Sequence, residues 1–391
     1  MRIAYGVMGY GRGHAMRTSA VLPALMKQHE VTVFAGGDAY DVLAPQFSTV
    51  RIPLIRYVYN AHGGYSWPKM VGQNLAPMGD LLLRGKGRDA LDREFRARGI
   101  ELVISDSEAW THRVAQRLKL PRISFDHVGI IAYCKPHFPP DLWLLGQRDA
   151  WGYRTLMGQP DRILISSFYN AEPYRTDTKI VGPLLRDAVL KVQPTAGEYL
   201  LVYLNKGEHQ YQPHVDRALR QLDVPVVVYG TPQRGLDENL DFRAPGSEAF
   251  LHDLAGCRAV ISTAGNQLIG EAIHFGKPIL ALPEQAFEQR LNAAMIERMG
   301  VGMRGDLARL TPSDVDRFLG NTDYYRSNML EHARDGRTEA VETLHRFIDE
   351  LAAGLVNRAV HVPEIAVRAA GLDRFQVLQQ PAHEPVVLGK A

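Results

Sequence analysis

Between Arg258 and Gly302 the chain twice alternates a short run of apolar residues with a helical period, and few folds accept that rhythm. Ala259 to Ser262 (A-V-I-S) is a β-branched run that suits a strand covered on both faces, and Gly265 ends it before an apolar helical period begins. Lys277-Pro278 stops that helix, Ile279 to Leu282 is a second buried run, Pro283 closes it, and another helix follows. Strand, helix and parallel strand in this order belong in an open sheet with helices on both faces.

The turn at Gly265 aims a helix N-terminus at the end of a strand. Unpaired backbone N–H groups of Gly265, Asn266 and Gln267, with the positive end of the helix dipole, can hold a diphosphate there without a lysine or a metal. Glu271 lies nearly two turns further on. It is too deep to cap the helix but can accept hydrogen bonds from the 2′- and 3′-hydroxyls of a ribose. Glu288, Gln289 and Asn292 open the next helix, and a carboxylate with two amides can read sugar hydroxyls. Taken singly, Glu271 and Glu288 also suit solvated helix faces and Gly265 an ordinary turn. Their succession on neighbouring strand ends argues for a nucleotide-sugar site.

The pattern T-A-G-N-Q-L-I-G-E, then G-K-P, a proline and E-Q-R-L-N-A, resembles the donor-binding signature of the two-Rossmann-domain (GT-B) glycosyltransferases, the UDP-glycosyltransferases and MurG-like enzymes in particular. Both the Gly265-to-Glu271 spacing and the Glu288-Gln289-to-Asn292 spacing fit. Thr263 stands where plant-type members carry a histidine beside the donor phosphates, and Asn266 and Gln267 replace their tryptophan and asparagine. The resemblance therefore implies a UDP-sugar held mostly by backbone.

The N-terminus opens a second unit of the same kind: a strand over Arg2 to Val7, a glycine-rich turn over Gly9 to Gly13, a helix over Ala15 to Gln28 with Ala20, Leu22, Leu25 and Met26 inward, and a strand over Val31 to Ala35. Its G-x-G-x-G-H spacing lacks the third glycine of the dinucleotide fingerprint, and Asp38 follows Gly36-Gly37 instead of ending a strand, which argues against NAD. His14 stands at the mouth of the turn. A lone histidine there is as readily a cap or a packing residue, but Glu101 to Ser105 reads as a parallel strand ending in Asp106. That strand delivers to the same sheet edge the usual partner of a histidine base. G-R-G-H-A-M-R-T, Gly11 to Thr18, resembles the N-terminal loop of the same superfamily, which implies His14 as base, Asp106 as its partner and Gly13 beside the donor. Arg17 in this loop suits either a donor phosphate or a surface ion pair.

Arg56 to Pro77 is rich in aromatic residues and glycine and keeps no period, so it reads as a long loop facing the acceptor. Tyr57, Tyr59 and Trp67 are its stacking candidates, with a satellite hydrophobic cluster as the plainer alternative. Asp80 to Arg98 reads as one amphipathic basic helix. Pro121 to Phe125 is a strand leading to His127, an acceptor-side residue and second base candidate, ranked below His14 because no glycine-rich approach accompanies it. Pro139-Pro140 opens a helix through Leu156, and Arg162 to Ser166 closes the sheet. The segment with V-G-P-L-L-R resembles a GT-B inter-domain crossing. The organisation is then an acceptor domain over 1–180, a linker over 181–196, a donor domain over 197–353 and a tail over 354–391 with no period. Asn205 and Lys206 form the first turn of the donor domain and can touch the diphosphate. Strands at Val224 to Tyr229 and Leu240 to Pro245 follow, and the resemblance implies that the loop from Phe242 to Ser247 holds the base. His209 and His214 lack a third ligand and read as surface residues, so no metal site is expected.

With 391 residues, 46% of them apolar, the chain can build two ordinary cores, and a net charge of +2 makes no demand for nucleic acid. The small positive excess leaves room for peripheral contact with the inner face of a membrane. Cys134 and Cys257 lie outside any metal spacing and suit buried thiols in a reducing compartment. With no leader pattern and no run near the roughly 18 apolar residues of a membrane span, the cytoplasm is expected. These readings converge on an α/β chain of two Rossmann-like domains (GT-B) with a cleft between them. It is expected to be an inverting, metal-independent glycosyltransferase without a cofactor, moving a sugar from a UDP-sugar to an acceptor hydroxyl on a small molecule, lipid or glycan. UDP-sugar hydrolases share the G-H-A-M-R-T loop, and UDP-GlcNAc 2-epimerase-like enzymes share the architecture but carry a serine-rich donor turn that is missing here. A nucleotide-sugar sensor is the non-enzymatic alternative, and the pairing of His14 with Asp106 counts against it. No feature of the sequence specifies an oligomeric state.

Overall fold

The apolar runs become two seven-stranded sheets. The first takes β1 (Arg2–Val7), β2 (Glu30–Ala35), β3 (Thr49–Arg51), β4 (Leu102–Asp106), β5 (Arg122–Asp126), β6 (Arg162–Ser166) and β7 (Thr178–Val181) in the order β3-β2-β1-β4-β5-β6-β7, with every pairing parallel. The second takes β8 (Leu200–Tyr203), β9 (Val226–Tyr229), β10 (Gly235–Asp237), β11 (Leu240–Arg243), β12 (Ala259–Ser262), β13 (Ile279–Ala281) and β14 (Gly302–Arg304) in the order β10-β11-β9-β8-β12-β13-β14. Only the β10–β11 hairpin in it is antiparallel. The computed structural model describes all residues except 56–57, 59–65, 84, 136–137, 205, 245–246 and 355–391.

The strand order of each sheet reverses at its first strand, between β1 and β4 and between β8 and β12. Such a switch point opens a crevice at the carboxyl ends of the strands, where the flanking loops part to opposite faces. β4 and β12 are buried along their whole length, as strands covered by helices on both faces must be. One apolar cluster passes from Ile130, Ile131 and Phe168 in the first half to Leu268, Ile269 and Phe287 in the second, so the halves share a core.

Several expected boundaries move, each for a local reason. The first helix starts at Arg12, directly after Gly11, and Met26 beyond its end is exposed instead of inward. The segment expected as a loop through Pro77 turns helical from Trp67, with proline in the first turn, and runs to Leu82. The helix expected over Asp80 to Arg98 is broken: a new helix begins at Lys86, where the Asp80 carboxylate accepts from the N–H groups of Gly87 at 2.8 Å and Arg88 at 3.2 Å. β7 extends the first sheet beyond β6, within the segment read as leading to the linker. Cys134 and Cys257 are free buried thiols, pushed by burial up to about 12. Among the described residues no helix is long and apolar enough to cross a membrane.

The helix Arg337–Ala352 departs furthest from the expected division. It buries Ala340, Leu344, Phe347, Ile348 and Leu351 in the cluster that holds Ile3 and Tyr5 of β1 and Leu22 of the first helix, so the end of the second half completes the core of the first. Leu344 is fully buried there. Leu344→Ala is expected to cost about 2–5 kcal/mol of stability, measured by urea unfolding of the full chain. A loss below about 1 kcal/mol would contradict this shared core.

Candidate active site

Parallel pairing sets Val7 of β1 opposite Asp106 of β4, so the turn after β1 and the last residue of β4 meet at one sheet edge. The backbone of Gly9 passes so close to the next loop that a Cβ there would lie 2.3 Å from the carbonyl oxygen of Gly36. Gly11 follows with φ +77°, a conformation that favours glycine, and its N–H donates to Asp38 Oδ2 at 2.9 Å. The helix then begins, which puts His14 in its first turn with Nδ1 2.7 Å from Asp106 Oδ1.

Arg17, one turn further on, completes this cluster. Its Nε donates to Asp106 Oδ2 at 3.0 Å, its Nη2 donates to Oδ1, and Nη2 also stands 2.9 Å from His14 Nδ1. Arg17 is 3% exposed and Asp106 fully buried, so of the two roles weighed for Arg17 the surface pair is replaced by an interior fork, and Arg17 still borders the cavity open to a donor. Burial works to raise the Asp106 carboxyl, but the charge of Arg17 and the bonds from His14 and Arg17 outweigh it and hold it below its ordinary value.

Across the cleft, Ala264 adopts φ +62° and releases the chain into the helix Asn266–His274, which no side chain caps. Its first N–H groups therefore open on the cavity. The Asn266 amide donates to the Ser166 carbonyl at 3.3 Å and the Gln267 amide to the Leu184 carbonyl at 3.0 Å, so these side chains tie the two halves together. Gly13 faces this helix, since a Cβ on it would lie 3.8 Å from Gln267 Cβ. Glu271 is buried, and its Oε1 accepts from Arg186 Nη2 and Gln267 Nε2, both at 3.0 Å. Glu288 accepts from the Asn292 amide at 3.4 Å. Gln289 bonds to Glu284 through both ends of its amide, accepting from the backbone N–H at 2.8 Å and donating to Oε2 at 3.2 Å. Lys206 Nζ lies 3.3 Å from Asp38 Oδ2 and over the Tyr10 ring. Asn266, Gln267, Glu271, Glu288, Gln289 and Lys206, with buried Thr263, border one cavity of 630 Å³.

Two candidates do other work. His127 turns one ring nitrogen to the Ser166 carbonyl at 3.2 Å and the other to Asn292 Oδ1 at 3.0 Å. Burial pulls it below the ordinary histidine value against the pull of Glu288, and with both ring nitrogens engaged it bridges the halves at the border of the cavity. Phe242 points from β11 into the core of the second sheet, against Tyr211, and does not reach the cavity. Tyr57, Tyr59 and Asn205 lie outside the described residues, and Trp67 is described only as the first residue of its helix.

The sequence reading missed the apolar part of the cavity lining, to which Leu54, Ile55, Trp110, Val128, Leu156 and Met157 belong. These residues come from four segments and share no local motif. Arg186 was equally silent in V-G-P-L-L-R, since only the fold sets it beside Glu271. Among the described residues no group of three or more His, Cys, Asp or Glu is placed to hold a metal ion.

The family model of glycosyl transferase family 1 matches residues 1–322. An uncharacterized glycosyltransferase of Methanosarcina acetivorans is 24% identical over 382 residues, which is 90% of this chain and 98% of that one. Of solved structures, MurG of Acinetobacter baumannii superposes at a TM-score of 0.58 and 16% identity over 88% of this chain and 99% of its own. The spinosyn rhamnosyltransferase SpnG, complexed with thymidine diphosphate, does so at 0.62 and 15% identity over 88% and 100%. The structural likenesses establish the two-domain GT-B fold, the family match spans both sheets, and the chain therefore belongs to glycosyl transferase family 1, as a glycosyltransferase of the GT-B type.

Proposed function

We propose that this glycosyltransferase is inverting and metal-independent, and that it moves a sugar from a UDP-sugar to an acceptor hydroxyl with His14 as the base. The observation that carries the proposal is the 2.7 Å contact between His14 Nδ1 and Asp106 Oδ1, on the same cavity as the uncapped start of the Asn266–His274 helix. A carboxylate that accepts from Nδ1–H selects the tautomer whose Nε2 lone pair is free. Nε2 takes the acceptor proton as the acceptor oxygen attacks the anomeric carbon. The bond to the donor oxygen breaks on the opposite face, its electron pair leaves with UDP, and one displacement inverts the configuration. The imidazolium so formed rests on Asp106, while the helix N–H groups take the charge growing on the departing diphosphate.

Along the same wall Glu271 meets the ribose, and Glu288 with Gln289 meets the sugar beyond the phosphates. The thymidine diphosphate bound by SpnG supports a pyrimidine nucleotide. Glu271 supports the ribo form, because a carboxylate at this place gains most from a 2′-hydroxyl that thymidine lacks. Neutral N–H groups suffice for the diphosphate in this mechanism, with no divalent ion between it and the protein.

His14→Ala is expected to lower turnover by about 10²–10⁴-fold while UDP affinity by titration calorimetry stays near that of the native chain. Loss of UDP binding together with rate would make His14 a donor or folding residue. Activity is expected to survive EDTA, and a complete loss restored by Mg²⁺ or Mn²⁺ would sink the metal-independent mechanism. Glu271→Ala is expected to weaken UDP by about 10–100-fold, since a charge-assisted hydrogen bond is worth about 1.5–3 kcal/mol, and to weaken thymidine diphosphate less. Equal losses for both nucleotides would remove Glu271 from the ribose.

A further inference from the structure

We infer that the helix Trp67–Leu82 docks the protein on an anionic lipid surface, with Val71, Leu75 and Leu82 entering the interface. This goes beyond the sugar transfer proposed above and does not depend on it. The helix is anchored to the protein by another of its faces. Its Leu81 is fully buried in the cluster that includes Ile52 and Trp110, and both of these border the cavity. Val71, Leu75 and Leu82, at i, i+4 and i+11, share a face that the core does not cover. Val71 is 57% and Leu75 65% exposed, and Leu83, just past the helix end, is exposed as well. Twelve large apolar side chains stand out to solvent among the described residues; four of them fall here, while no other element carries more than two. Single exposed apolar residues need no explanation, but a stripe along one helix marks an interaction face.

The charge around the stripe selects the occupant. Between Ser66 and Arg98 the sequence has seven basic residues against four acids, an excess of +3 where the whole chain has +2. The acids are engaged: Asp80 accepts from the N–H groups of Gly87 and Arg88, Asp89 pairs with Arg117, Asp92 with Arg96 and Glu94 with Arg98. Lys69 in the first turn of the helix and Lys86 shortly after its end are both exposed. A helix of 16 residues with an apolar stripe between cations lies in the plane of a membrane, its apolar side chains at the acyl boundary and its lysines among anionic headgroups. A second copy of this chain fits the stripe less well, because a two-fold contact would press the same positive excess against itself.

The test is flotation of the full chain with vesicles of phosphatidylcholine alone and of three parts phosphatidylcholine to one of phosphatidylglycerol. The native chain is expected to bind the mixed vesicles at least about tenfold more tightly than phosphatidylcholine alone, and to lose that binding as salt is added. Val71→Ser with Leu75→Ser is expected to weaken binding by about tenfold or more while circular dichroism and urea unfolding stay native, since both side chains are exposed in the free protein. Lys69→Gln with Lys86→Gln is expected to remove most of the preference for the anionic vesicles, and it decides should the serine variant fail to fold. No binding by the native chain, equal binding to both vesicles, or native binding by the serine variant would each overturn the inference, as would an unchanged preference in the glutamine variant. A dimer in sedimentation that the serine variant dissociates, without vesicle binding, would give the stripe to a second copy and overturn it too. Each of these outcomes leaves the role of His14 standing, because that role is read from turnover in solution.

Discussion

The cleft exists because two sheets, each opening at its own switch point, are held facing one another, and what holds them is a shared apolar core with polar ties at its edge. The cluster from Ile130 and Phe168 to Leu268 and Phe287 supplies a driving force that is non-directional, so by itself it does not set the angle at which the sheets meet. The ties do. Asn266 reaches Ser166, Gln267 reaches Leu184, and His127 meets Asn292, and each joins a strand or helix end of one half to the other. Buried amides left without these carbonyls would each cost about 1–3 kcal/mol, which makes one register of the halves much cheaper than its neighbours. The helix Arg337–Ala352 adds a second clasp by burying its apolar face in the first sheet's core.

Strain collects where the two strand ends deliver their loops. Ser107 follows Asp106 with φ +52°, and Ala264 precedes Gly265 with φ +62°, both non-glycine residues in left-handed backbone. Each turn swings the chain sharply off its strand, so that Asp106 ends against the first helix and the Asn266 helix starts at the cavity wall. Such conformations persist only where the surroundings over-determine them, and here a buried ion pair on one side and inter-half amide bonds on the other supply that constraint.

How much of this was legible in the sequence depends on the range of the force involved. Strand and helix order, the Gly265 turn and the carboxylate at the end of β4 are local patterns, and His14 and Asp106 are indeed brought within hydrogen-bond distance. Arg17 was visible as a residue but not as a partner, because its burial depends on β4 lying beside the first helix. Phe242 misled for the same reason: a strand end places a side chain near a cleft, but packing decides whether it faces the cavity or the core, whereas His127 borders the cavity with both ring nitrogens already engaged. The break at Lys86 turned on one Asp80 carboxylate preferring two backbone N–H groups to a continued helix. The C-terminal helix carried a clear apolar period, yet a period says that a face is buried and not against what.

Three cations on the cavity are each engaged with a carboxylate, and the pairs differ in what a diphosphate could do to them. Arg17 with Asp106 is almost wholly buried, so breaking it would strand a charge inside the protein, and it belongs to the fixed frame. Arg186 with Glu271 is partly open on the arginine side, and a ribose can share Glu271 without displacing its partner, because a carboxylate has lone pairs for several donors. Lys206 with Asp38 is the loose one, with side chains 24% and 40% exposed at 3.3 Å, and such a pair is worth only about 0–1 kcal/mol. Lys206 is thus the least firmly held of the three cations. The Arg17–Asp106 fork, closed to solvent on both sides, is the most firmly held.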